Sequence, residues 1–61
     1  MKIAIYTNPT TKHTTVFRGG HREAVVTRRS ASGVLISTYH LPDARAFWNT
    51  FQTKANIISS S

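Results

Sequence analysis

At Leu41-Pro42 the spacing of the apolar residues changes. Upstream, short runs of β-branched and aromatic residues are separated by turn-forming Gly, Pro, Asn and Ser. Downstream, Ala44, Phe47, Trp48, Phe51, Ala55 and Ile58 recur every three or four positions. A strand shows alternate side chains to its two faces, whereas a helix gathers residues three and four apart onto one stripe. The two halves therefore call for different elements: strands, then one amphipathic helix whose stripe is buried on the sheet. Pro42 fits the first position of such a helix, where a missing N–H is harmless, and Asp43 in the first turn complements its positive end. The expected class is α+β: an antiparallel three- to four-stranded meander sheet followed by one C-terminal helix packed on one face.

Punctuation divides the first half. Lys2 to Thr7 reads as a strand that ends at Asn8-Pro9, because Pro fixes φ and pushes its predecessor away from helix. His13 to Arg18, His21 to Arg28 and Val34 to Tyr39 follow, with Ser30-Ala31-Ser32-Gly33 as a turn. Gly19-Gly20 predicts a two-residue hairpin loop that pairs Arg18 with His21, Phe17 with Arg22 and Thr15 with Ala24. In that register Phe17, Ala24 and Val26 share one face while Val16 and Val25 share the other. A sheet with one wet face alternates more strictly, so part of the second face is expected to be buried, most simply in a homodimer. The whole reads as one domain over residues 1–58 with a disordered tail over 59–61.

The chain has 61 residues and no Cys. A domain of this size buries only about 60% of the surface its unfolded form exposes. Without Cys there are no disulfides, thiolate zinc sites or cysteine nucleophiles, which leaves self-association as the usual support for so small a core. The apolar stretch Ile3 to Tyr6 is too short for a signal-peptide core or a membrane span. A cytoplasmic protein without membrane contact is expected.

Charge gives the functional direction. Eight Lys or Arg stand against Glu23 and Asp43, a formal +6. Such a field favours polyanions. Lys12, Arg18, Arg22, Arg28 and Arg29 fall on the second and third expected strands and their turns, beside His13 and His21. Guanidinium groups bind phosphate bidentately, and Thr10, Thr11, Thr14, Thr15, Ser30 and Ser32 add neutral donors. These five cations are the candidate nucleic-acid-binding residues, with DNA favoured over RNA; about five phosphate contacts would give a log–log salt slope near −4 on duplex. Glycines at the hairpin tip would let backbone approach a phosphate. Tyr6, Phe17 and Tyr39 would stack on unpaired bases if exposed, although for Phe17 and Tyr39 the needs of a small core point inward. The reading requires the guanidinium groups to share one exposed surface.

Catalysis and metal binding find little support. His13, His21 and His40 match no compact ligand spacing, two carboxylates are few for acid–base work, and no nucleophile-elbow pattern occurs. No catalytic residue, cofactor or metal is expected. Arg29-Ser30-Ala31-Ser32 has the form of a basic-directed phosphoacceptor but reads more simply as a polar turn. In layout and charge alone, a sheet followed by one helix resembles two nucleic-acid-binding modules: the single-strand-binding domain of the transcriptional-coactivator type and the arm-binding domain of phage-type integrases. The resemblance implies a small accessory or regulatory DNA-binding protein and assigns no residue. The alternative is a virus- or plasmid-type inhibitor or adaptor that lays a sheet face or free strand edge on an acidic host protein.

Overall fold

The connections among the first four strands are short, so each strand turns back on its predecessor. In the computed structural model, which describes residues 1–60 and side chains through Ser59, these strands are β1 (Lys2–Thr7), β2 (Thr14–Gly19), β3 (Ala24–Arg29) and β4 (Leu35–Leu41). A short helix, α1 (Arg45–Phe51), leads to a further strand, β5 (Asn56–Ser60). The sheet is antiparallel and five-stranded, in the order β4-β3-β2-β1-β5. The class is α+β. Because β4 and β5 are opposite edges, the chain crosses the sheet between them, and α1 lies in that crossing. No helix among the described residues is long and apolar enough to cross a membrane.

The helix is the largest departure from the sequence reading. Pro42 and Asp43 precede it instead of forming its first turn; Asp43 Oδ1 accepts the N–H of Arg45 at 3.3 Å. Ala44 N–H donates to the carbonyls of His21 and Arg22, both at 3.0 Å, which ties the start of α1 to the β2–β3 loop. After Phe51 the backbone breaks into turns, and Thr53 Oγ1 donates to the Thr50 carbonyl at 2.7 Å. Thr53, Asn56, Ile57, Ile58 and Ser59 are weak helix formers, and Ile and Thr suit a pleated surface. Pairing as β5 also satisfies the backbone of β1, which would otherwise be a bare edge. Ile58, expected on the helical stripe, is the extra residue of a β-bulge, since Ile3 faces Ser59 and Ala4 faces Ile57. The tail expected from residue 59 onward is strand through Ser60, and Ser61 lies outside the described residues. With a strand after the helix, the layout departs from both modules that it resembled.

The glycine hairpin also differs. Gly19 belongs to β2 and faces Ala24, and Gly20 N–H closes a four-residue loop on the Glu23 carbonyl at 2.9 Å. Arg18 therefore faces Val25 and Phe17 faces Val26. The slip is an even number of residues, so the faces come out as read: Phe17, Ala24 and Val26 on one side, Val16 and Val25 on the other. Gly19 has φ +145°, and a Cβ there would stand 2.5 Å from both Ala24 Cα and Glu23 O. Close approach by its own backbone, rather than by a phosphate, accounts for that glycine.

Ala4, Phe17, Ala24 and Val26 from the sheet meet Ala44, Trp48 and Phe51 in one core. Phe17 lies at its centre, with ring centroids at 5.1 Å from Trp48, 5.7 Å from Phe47 and 6.2 Å from Phe51. Burying one such ring contributes about 1.5–3 kcal/mol.

Candidate nucleic-acid interface

The sheet has two unlike ends. One is built by the β2–β3 loop and the entry to α1. It holds both acidic side chains: Glu23 lines a hollow with Arg22 and Pro42, and Asp43 another with Arg22, Pro42 and Arg45. The other end is built by residues 8–13, residues 30–34 and the turns after α1, and it has no acidic side chain. By register and contact, Lys12, Arg28, Arg29 and Lys54 belong to this acid-free end, whereas Lys2, Arg18, Arg22 and Arg45 lie toward the other. Eight cations thus divide evenly while both acids sit together.

Local chemistry holds the loops of the acid-free end. Asn8 Oδ1 accepts the N–H groups of Thr10 and Thr11 at 2.8 and 3.1 Å, an Asx turn. Lys12 N–H then donates to the Asn8 carbonyl at 2.8 Å, and Lys12 takes φ +65°, the only positive φ outside glycine among the described residues. At the next turn, Ser30 Oγ accepts the N–H of Val34 at 3.1 Å and lies 3.0 Å from Ser32 Oγ, so the Arg29 to Ser32 segment is a hydrogen-bonded turn.

The five expected phosphate ligands do not share one surface. Successive residues of a strand point to opposite faces, so Arg28 lies on the α1 face opposite Thr15, and Arg29 on the open face opposite Thr14. Arg29 Nη1 also donates to the Gly33 carbonyl at 3.1 Å. Arg18 is on the open face, between Ile3 and Val25, and Arg22 is in the acid-bearing loop. What the structure brings together is Lys12, Arg28 and Arg29 at one end of the sheet. It adds Lys54, absent from the five expected ligands, which the turns after α1 bring to a groove that Arg28 also lines.

On the α1 face at this end lies a groove of about 300 Å³. Tyr6, Thr15, Arg28 and Tyr39 line it from the sheet, and Phe47, Phe51 and Lys54 from α1 and the turns after it. Tyr6, Thr15 and Arg28 are in cross-strand register, one row across the sheet. Lys54 Nζ sits 4.8 Å from the centre of the Tyr6 ring. Of the three rings weighed for stacking, Phe17 is fully buried, Tyr6 is half-buried, and Tyr39 stays 40% exposed instead of joining the core. Phe47 was legible only as a stripe residue.

The open face carries Ile3, Ile5, Val16 and Val25 among Thr7, Thr14, Thr27 and Thr38. Its apolar residues are mostly half-buried, and only Val25 is exposed. Larger apolar exposure is at the two edges: Val34, Leu35 and Ile36 along β4, Ile57 and Ile58 along β5. His13, His21 and His40 lie on a loop of the acid-free end, on the opposite loop and on β4, and no three potential ligands group around a metal among the described residues.

Compared with known proteins, the chain matches no family model, no curated protein and no solved structure.

Proposed function

We propose that this protein binds nucleic acid, DNA in preference to RNA, through the acid-free end of its sheet, as a cytoplasmic accessory or regulatory factor that acts by binding and not by catalysis. The supporting observation is that Lys12, Arg28, Arg29 and Lys54 lie at the one end from which both acidic side chains are absent. Arg28 and Lys54 are on the α1 face and Arg29 is on the open face, so a bound strand would have to pass around that end instead of lying on one shared surface. Cations with no local carboxylate keep their field for an external anion, and the hydroxyl of Thr15, in register with Arg28, would add a neutral phosphate donor. Arg18 on the open face and Arg22 beside Glu23 add to the general field more than to this contact. The test is titration of labelled single- and double-stranded oligonucleotides over a salt series. Micromolar or tighter affinity that collapses with salt, with a log–log slope of about −3 to −4 on duplex for four contacts, supports the reading. Affinity that is absent at low salt overturns it.

One observation favours a second reading, the protein-binding adaptor. The β4 edge carries Leu35 and Ile36 at 52% and 46% exposure, and its segment LISTYHL has none of the Lys, Pro or acidic residues that usually guard an edge. A strand of an acidic partner, or β4 of a second copy in a two-fold homodimer, would extend the sheet there. Light scattering at micromolar concentration distinguishes these, because a monomer that retains one co-purifying protein selects the adaptor and a dimer selects self-pairing.

A further inference from the structure

The geometry points to unpaired bases as the occupants of the groove between the end of α1 and the sheet, so that the protein takes single-stranded in preference to duplex DNA. This rests on the nucleic-acid reading and narrows it. A cationic patch alone would serve any polyanion, but this groove is lined by rings as well as by its two cations, with Lys54 over the Tyr6 ring. Tyr39 remains 40% exposed in a molecule short of core, on the α1 face beside Phe47 and Arg28. Apolar ring surface of that kind is stabilised when another flat ring covers it, and every nucleobase has such a face. Tyr6 already has Lys54 over it, and Phe47 lies against Phe17 and Phe51 with ring centroids at 5.7 and 5.4 Å, so Tyr39 is the ring left to stack.

The same arrangement disfavours a duplex. Paired bases are stacked on one another inside the helix, and only the phosphates would reach Arg28 and Lys54. The hollow of about 300 Å³ has room for a splayed base. Arg28 on one side and Lys54 on the other then stand where the phosphates flanking a stacked base would pass.

The experiment is fluorescence anisotropy on the intact chain with oligo(dT) of about ten nucleotides, a typical single-domain site size, and with a duplex of the same length. The expected result is tighter binding of the single strand by at least about fivefold, the weight of one stacked base. Tyr39→Ala should weaken the single-strand complex by about 5- to 150-fold and leave the duplex complex unchanged, while Tyr39→Phe binds as the parent does. Lys54→Gln, at an exposed position beyond α1, should lower the single-strand salt slope by about 0.7 and serves if far-UV circular dichroism finds Tyr39→Ala unfolded. Equal affinity for both forms, with Tyr39→Ala and Lys54→Gln neutral, overturns the groove while leaving nucleic-acid binding intact. Failure of both forms to bind at low salt removes both.

Discussion

The acid-bearing end of the sheet is tied to its own backbone, whereas the acid-free end is made of turns closed largely by their own side chains. At the first, Gly19 lies against Ala24 and Glu23 with no room for a Cβ, and Ala44 N–H reaches two loop carbonyls to anchor α1. At the second, Gly33 has nothing within 4 Å of a hypothetical Cβ, and Asn8 and Ser30 close their loops with their own side chains. One end is where the strands and the helix are held in register. The other has few demands from packing, so its residue types are free to answer to a ligand. On the proposed reading, structure and binding fall at opposite ends of a very small fold.

The sharpest way to break this contrast is Gly19→Ala. A Cβ 2.5 Å from backbone atoms at φ +145° should cost roughly 2–4 kcal/mol. Total stability for a chain of this length is about 3–9 kcal/mol, so denaturant unfolding should find the protein close to collapse; a loss under about 1 kcal/mol would show that the end is not tightly held. Next in size is the functional contrast. Arg28→Ala with Arg29→Ala should weaken oligonucleotide binding by about ten- to a hundredfold and reduce the salt slope, while Arg22→Ala with Arg45→Ala, an equal loss of charge at the acid-bearing end, should change it by only a few-fold. Equal effects from the two pairs would mean that net charge alone binds.

Gly33→Ala is the counterpart of Gly19→Ala. It meets open space but keeps φ +90°, so thermal unfolding should register a loss of about 1–2 kcal/mol from backbone strain alone. The smallest expected change is a gain. Lys12 holds φ +65° without being glycine, so Lys12→Gly should stabilise the fold by roughly 0.5–1 kcal/mol while lowering nucleic-acid affinity. Stability and binding moving in opposite directions would mark Lys12 as a residue kept for its charge; no change in binding would move it off the interface.

Much of the local architecture could be read from the residues. Lys2–Thr7 was bounded correctly because Asn8-Pro9 is a strong stop, and Phe17, Ala24 and Val26 came to one face because a two-residue period survives any even slip of register. The end of the helix was not legible. Ala55 and Ile58 continue a three-and-four spacing, and nothing in that spacing reveals that β1 has an unpaired edge waiting for Asn56–Ser60. The candidate site suffered from the same blind spot. Arg28 and Arg29 are adjacent in sequence but lie on opposite faces, and Lys54 lines the same groove as Arg28 because the chain turns after Phe51.

What the sequence alone determined was the kind of molecule: no disulfide, a large positive excess, a β-rich first part with short turns, and an aromatic stripe that had to be buried. Those properties depend on composition and on neighbours along the chain, which covalent order specifies. The tertiary structure decided which strand edges meet, where the helix stops, and which cations share an end. Such outcomes depend on backbone hydrogen bonds and contacts between residues far apart in the chain, as when β5 closes on β1, and their free energy exists only once the sheet has formed.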